Sequence, residues 1–487
     1  MSRPLRVAII GAGPAGIYAG NILSRTGLDV SIDVIESLPA PYGLIRYGVA
    51  PDHPRIKGVV RSLHEMLDAG TIRLLGNVTL GVDLILDDLR RYYDAVIFAT
   101  GAARDAALTV PGIDLPGSYG AADFVSWYDG HPDVSRDWPL DAREIAVVGN
   151  GNVALDVARV LAKLPHDLQR TDMPANVYDR LATSAVTDVH VFGRRSPAHV
   201  KFTPLELREL GEVAGIDVIV DAEDFADVAG IDAVARAAGT NQVKVMTRIL
   251  RGWLERERTG ASRRLHLHFF HQPTEILGRE RVEGIRFERT ALDRSDGSDG
   301  TDGARGAGSA ASAGAGIADA AGAVRGTGTF VDYPVQAVYR AVGYFGSPVP
   351  GVPFDERRGV IRNSEGRVLD DAGEQLAGLY ATGWIKRGPV GLIGHTKGDA
   401  METIEHLVSD FDALPRAEEP DEQAVLDLLA ERGVEYTTWR GWLSLDEHER
   451  ALGAADRSPV ERERVKVVPR DEQVAIARAV ELLAPLH

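Results

Sequence analysis

Leu5-Arg6-Val7-Ala8-Ile9-Ile10-Gly11-Ala12-Gly13-Pro14-Ala15-Gly16 is the stretch on which the fold turns. Leu5 to Ile10 is a short β-type run that stops at Gly11, and Ala15 to Leu23 carries small and apolar residues at helical spacing. That is strand, turn, helix. A second β-rich run, Val30 to Ile35, ends at Glu36 and completes a βαβ unit, which implies a parallel sheet with a right-handed crossover. The turn fits G-x-G-x-x-G in the setting that gives the pattern meaning. Gly11 permits the tight turn, Gly13 lets a pyrophosphate approach the backbone, and Gly16 packs helix on strand. Pro14 and Ala15 lie where the turn meets the helix start, whose free N–H groups and dipole favour a phosphate. Glu36 stands about 20 residues on, where a carboxylate can accept hydrogen bonds from ribose hydroxyls of FAD or NAD alike.

Moving outward, the pattern recurs. Glu144 to Val148 leads into Gly149-Asn150-Gly151-Asn152-Val153-Ala154 and a helix through Leu161, and Val189 to Phe192 forms the next strand. Ala154 takes the third glycine's place, an accepted variant. After this second strand Arg194-Arg195 replaces the acid, and two guanidinium groups there suit the 2'-phosphate of NADP. The spacing is longer than usual because Pro165 to Ala185 is inserted; the plain alternative is a solvated strand end. Two further strands run into Ala99-Thr100-Gly101 and Ala381-Thr382-Gly383-Trp384, small-residue ends of a kind recurrent in flavoproteins that hold two dinucleotides.

The composition agrees with a two-cofactor enzyme. At 487 residues the chain has room for about three structural units, or two domains with one split. Lys+Arg 54 against Asp+Glu 71 leaves a net charge of −17, which disfavours nucleic acid or an anionic membrane as main partner. There is no cysteine, so disulfides, thiolate metal sites, cysteine-held clusters and CxxC redox chemistry are excluded, and no metal site is expected. Any redox work must use a bound cofactor. Val7 to Leu23 could pass for a signal peptide, but Gly11, Gly13, Pro14 and Gly16 break it, and no run approaches the length of a membrane span; the cytoplasm is the expected compartment. From about Asp293 to Thr329 the residues turn to Gly, Ala, Ser and Asp, and a mobile insertion in a stretched hairpin is expected. Ala417 to Asp421 reads as a linker before a helix capped by Asp421 and stopped near Gly433, followed by a packing element with Tyr436, Trp439 and Trp442.

Four segments together carry a resemblance. They are Pro41-Tyr42-Gly43-Leu44-Ile45-Arg46-Tyr47-Gly48 with Val49 to Pro54, Gly149 to Asp156, Gly193-Arg194-Arg195 with Phe202, Thr203 and Glu206, and Trp384 to Pro389. The chain resembles the adrenodoxin-reductase type of NADPH-ferredoxin reductase, bacterial members especially, over nearly its whole length outside 293–329. The resemblance implies an α/β fold with two Rossmann-like domains: an FAD domain in two parts, 1–105 and 346–487 with a C-terminal extension, enclosing an NADP domain over 106–345. FAD would lie on Gly11 to Gly16 with Glu36 at its ribose, Leu44 and Thr100 nearby, and Trp384 and Gly391 beside the flavin ring. NADP would lie on Gly149, Gly151, Asn152 and Val153, with Arg194 and Arg195 at the 2'-phosphate and Glu206 hydrogen-bonding close by.

The resemblance further implies supporting roles in hydride transfer for His53 and Glu209, with Asp156 facing the same region. For His53 the plain reading is a histidine fixed in the turn Asp52-His53-Pro54; for Glu209 it is a helix-surface acid. The implied activity is that of a ferredoxin-NADP reductase acting on a ferredoxin-like iron-sulfur protein, as a monomer. Such partners are commonly acidic, so the docking face should be locally basic. Lys244, Arg248 and Arg251 share a helical spacing, with Arg208 a further candidate; a solvated helix face is the alternative. A flavin monooxygenase and a non-catalytic flavin- and NADP-binding protein are the competing readings. Thioredoxin-reductase chemistry is excluded for want of a cysteine pair, and a glutamate-synthase small subunit for want of cluster ligands.

Overall fold

The structure is a computed structural model that describes residues 3–293, 323–389 and 393–482, with the side chains of 393, 481 and 482 excepted. Its first sheet begins with the decisive stretch. Leu5–Ile10 is fully buried, as expected of a central parallel strand covered on both faces. It pairs in parallel with Val30–Ile35 on one side and Ala95–Phe98 on the other. Arg73–Leu75 extends the sheet beyond Val30–Ile35. On the other side Gln375–Ala381 joins Ala95–Phe98 in parallel, and Arg367–Leu369 and Asn363–Ser364 close the edge antiparallel. The sheet therefore takes strands from both ends of the chain. The third strand is shorter than the run Tyr93 to Ala99 suggests, because Tyr93 closes the preceding helix Leu86–Tyr92.

The second sheet has six parallel strands, in the order Ser118–Gly120, Ala337–Arg340, Glu144–Val148, Asp188–Phe192, Arg263–His268, Ile216–Val220. One face, with Ile145, Val147, Val189, Val191, Leu265 and Leu267, packs on helices. The other face is different. Ala146, Val148, Phe192 and Val338 pack against a three-stranded antiparallel sheet of His271–Leu277, Gly284–Leu292 and Val324–Tyr333.

The inserted Pro165 to Ala185 folds as two helices, Pro165–Leu168 and Ala175–Ala182. In the composition-biased segment, Val324 to Thr329 belong to a strand, with Val324 opposite Leu292. The expected insertion is thus shorter at its C-terminal end. Its strand was hidden because Arg325 to Thr329 lie on an exposed edge, where glycine and threonine meet no core. Residues 294–322, the rest of that reading, lie outside the described residues, as does Gly391.

Asp421 caps Glu422–Glu431 by accepting from Gln423 N at 2.9 Å, and the left-handed Gly433 stops it. Trp442 is buried on the following helix, Trp439–Ala455. Among the described residues no helix is long and apolar enough to cross a membrane.

Candidate functional site

Both glycine turns are held against the crossing strand ends. Gly11 adopts φ +110°, and a Cβ there would stand 2.6 Å from the Ala99 carbonyl oxygen. A Cβ on Gly16 would meet the Gly11 oxygen at 1.9 Å, which is why the third glycine is needed where helix lies on turn. Gly13 has open space in front of it, its nearest neighbour being the Gly43 Cα. The segment Pro41 to Gly48 is laid over this turn: Tyr42 N donates to Ala12 O at 2.8 Å, and Leu44, half-buried, begins the short helix Leu44–Tyr47. From the far end of the chain, Gly383 comes so close to Ala15 that a Cβ on it would lie 2.6 Å from the Ala15 Cβ. Trp384, half-buried, starts the next helical turn. Thr100 is exposed beside them.

Glu36 is buried at the end of Val30–Ile35. Its carboxylate accepts from Ala12 N at 2.7 Å, Leu38 N at 3.0 Å and the Ser37 hydroxyl at 3.1 Å, so it ties the glycine turn to the second strand. Burial pushes its carboxyl above the ordinary value despite those donors.

The second turn repeats the arrangement. A Cβ on Gly149, at φ +143°, would meet the Ala341 oxygen at 2.1 Å, whereas one on Gly151 would meet nothing within 4 Å. Asn152 and Val153 open the helix Asn152–Ala162. In the amide orientation that satisfies both groups, Asn152 donates to Glu206 Oε2 at 2.8 Å and Lys201 O at 3.2 Å. Glu206, whose carboxyl is raised by burial, also accepts from Thr203 N at 2.8 Å, and Thr203 Oγ1 accepts from Glu206 N. This capping box folds residues 201–206 over the turn. Arg194 and Arg195 follow the strand Asp188–Phe192; Arg194 is exposed and Arg195 half-buried.

Whether a dinucleotide fits is decided by the helix starts. Pro14–Leu23 and Asn152–Ala162 each begin after a glycine, with no side-chain cap and no acid in the first turn. Gly13 and Gly151 stand at the N-caps, and a Cβ built there would meet only the Gly43 Cα at 3.9 Å and nothing within 4 Å, respectively. An uncapped N-terminus with such open space is an anion site. The donor sets differ as two cofactors require: an acid ends the crossover strand in the first sheet, two arginines in the second.

Between the turns the chain assembles a charged knot. His53 caps the short helix Pro54–Lys57, and its Nε2 lies 2.8 Å from Asp156 Oδ1 and 2.7 Å from Arg159 Nη2. Arg159 also donates to Asp156 at 2.8 Å and, through two nitrogens at 2.8 Å each, to Asp52. Lys163 reaches Asp52 at 2.8 Å. Burial opposes ionisation of Asp52, and Arg159 and Lys163 outweigh it, holding the carboxyl well below the usual range. His53 and Asp156 are thus brought together as the sequence reading has them. Glu209 is not: it is exposed on Pro204–Gly211 and makes no side-chain hydrogen bond or ion pair among the described residues. Asp52, Arg159 and Lys163 were missed. The available signal was a charged residue, Arg159, inside the apolar helix stretch Val157 to Leu161.

The docking candidates sit on Asn241–Leu254. Lys244, Arg248 and Arg208 are exposed; Arg251 is half-buried and paired with Asp232 at 2.8 Å.

Two sheets built on parallel βαβ units, each with an uncapped glycine-turn helix and joined by a knot of paired charges, define a pyridine-nucleotide-dependent flavoprotein oxidoreductase. Comparison with known proteins agrees. Residues 5–191 match the model of the pyridine nucleotide-disulphide oxidoreductase family. The NADPH-ferredoxin reductase FprA of Mycobacterium tuberculosis is 38% identical over 97% of this chain and 99% of its own. The human mitochondrial NADPH:adrenodoxin oxidoreductase is 36% identical over 94% and 89%. The structure of M. tuberculosis FprA in complex with NADPH superposes with a TM-score of 0.84, covering 98% of this chain and all of that one. The chain belongs to the NADPH-ferredoxin reductase family of the adrenodoxin-reductase type.

Proposed function

We propose that the chain oxidises NADPH through FAD and delivers electrons singly to a ferredoxin-like iron-sulfur protein. The observation that carries this is the pair of uncapped helix starts on two sheets, the first served by Glu36 and the second by Arg194 and Arg195. When bound, NADPH supplies a hydride and FAD accepts it and releases electrons one at a time. The chain's own work is to bind and to align. Gly11 to Gly16 and Glu36 hold the flavin nucleotide. Leu44 and Thr100 would lie near the cofactor and Trp384 beside its ring.

Gly149 to Val153 receive the pyrophosphate of NADP, Arg194 and Arg195 its 2'-phosphate, and Glu206 orients Asn152. Asp156 Oδ1 at 2.8 Å and Arg159 Nη2 at 2.7 Å both meet the His53 Nε2 and fix the ring. Arg159 positions both by binding Asp52 and Asp156 together. Glu209, exposed on Pro204–Gly211, supports hydride transfer from the nicotinamide side. In this reading residues 1–105 and 346–487 form the FAD unit and 106–345 the NADP unit. The protein is a cytoplasmic monomer that docks its partner on Lys244, Arg248 and Arg251.

Anaerobic visible absorption tests the proposal. A flavin spectrum bleached readily by one equivalent of NADPH, and slowly by NADH, is the expected result. A flavin that NADPH leaves unchanged would place the chain among binding proteins. Oxygen consumption with hydroxylation of an added substrate and no ferredoxin reduction would make it a monooxygenase.

A further inference from the structure

Away from the nucleotide turns, three histidines occupy one face of the second sheet. His266 and His268 are two apart on Arg263–His268, so both point to the same side, and His190 lies directly opposite His266 on the neighbouring strand. This is the face that the three-stranded sheet only partly covers: the side chains of His190 and His266 keep 14% and 18% of their exposure. One ring nitrogen from each of the three lies within 4.8 Å of the others. The nitrogens of a tetrahedral zinc site stand about 3.3 Å apart, given bonds of about 2.0–2.1 Å, so ligation requires the rings, now stacked with His190 and His266 centroids 4.2 Å apart, to turn towards a common point. His190 Nδ1 and His268 Nε2 are already 3.0 Å apart.

The outer nitrogens are equally informative. His190 Nε2 bonds Glu144 Oε2 at 3.1 Å, and His266 Nε2 bonds Asp188 Oδ1 at 2.8 Å. A carboxylate on the outer nitrogen fixes a ligating imidazole's tautomer and turns its other lone pair inward. His268 Nδ1 is buried with no hydrogen-bond partner, so only its other nitrogen is anchored, and that one faces His190. Arg264 is the neighbouring cation, and Asp188 neutralises it through a two-point ion pair. His271, the fourth histidine of the face, is taken by Tyr333 and Arg289 and does not join the set.

We propose that His190, His266 and His268 form a binding site for a borderline transition-metal dication, Zn²⁺ being the best match to three imidazoles, separate from both nucleotide sites. Glu144 and Asp188 act as outer carboxylates. The sequence reading expected no metal because it weighed cysteine alone; imidazoles alternating on a strand supply nitrogen ligands without thiolate. The site also touches the NADP turn through the backbone: Gly193 N donates to His268 O at 2.9 Å, and Phe270 N donates to Arg195 O at 3.2 Å.

The test uses tag-free holoprotein with its flavin, stripped of metals by chelator. Titration calorimetry with Zn²⁺ should show one equivalent bound, and one equivalent of Co²⁺ should give tetrahedral visible bands that Zn²⁺ abolishes. His266→Gln and His190→Gln, made separately in case one folds poorly, should each weaken binding at least 10-fold with flavin content unchanged. Glu144→Gln should weaken it by roughly 10-fold. The proposal is overturned if the wild type binds neither ion in a one-to-one ratio. It fails equally if His266→Gln and His190→Gln, folded and flavin-loaded, bind both ions as the wild type does.

Discussion

Arg194 is exposed and makes no ion pair among the described residues, while Arg195, half-buried, accepts a hydrogen bond from Phe270 N at its carbonyl. Exposure leaves the Arg194 guanidinium open to a ligand phosphate and equally to water, and kinetics separates the two. Replacing both arginines by alanine should raise KM for NADPH far more than for NADH. Each lost charge-assisted bond costs roughly 1.5–3 kcal/mol, about 10- to 160-fold. Steady-state kinetics with the two nucleotides decides it, and an equal loss for both would remove the arginines from the 2'-phosphate. At this scale the sequence was readable where chemistry is written locally. Gly11, Gly16 and Glu36 each announce themselves through their neighbours in the chain. Asp52 did not, since its partner Arg159 is 107 residues away and only folding joins them.

At the scale of elements, the two βαβ units were legible because a buried parallel strand is a short run rich in Val, Ile and Leu, and Leu5–Ile10, Val30–Ile35 and Glu144–Val148 have the bounds that enrichment suggests. The strand Val324–Tyr333 was not, having neither alternation nor core contacts over most of its length. What holds the elements to one another is charge as well as packing. The loop before Pro54 is tied to Asn152–Ala162 by Asp52 with Arg159 and Lys163, the side chains of Asp52 and Arg159 being almost wholly buried. The folded carboxyl titrates below its unfolded value of about 3.9. Its contribution is therefore complete above that value and is lost as pH falls through it towards the folded one. Asp52→Asn leaves two cations facing a neutral amide and should cost about 3–5 kcal/mol at neutral pH. Thermal unfolding of the two proteins from pH 7 to pH 3 should show the gap narrowing on acidification. A constant gap would mean the pair does not carry this stability.

Over the whole molecule, the C-terminal residues do more than their aromatic content suggested. Lys466 donates to Arg46 O at 2.9 Å and Asp129 O at 3.0 Å, and Arg470 reaches Asn77 and Asp133, each at 2.7 Å. The stretch thus straps residues beside the first sheet to residues beside the second, a role invisible in a sequence where its partners are hundreds of positions distant. Charge at this scale also sets the terms of docking. A chain of net charge −17 repels an acidic ferredoxin at long range, so productive encounter needs a local basic face. Arg251 is partly spent on Asp232, which leaves Lys244 and Arg248 as the exposed cations of that helix. Lys244→Glu with Arg248→Glu should raise KM for ferredoxin about 10-fold at low salt while bleaching of the flavin by NADPH keeps its wild-type rate. The difference should shrink as salt shortens the screening length towards about 8 Å at 0.15 M, because exposed charges act mainly on the rate of encounter. An unchanged KM at every salt concentration would move the docking surface away from this helix.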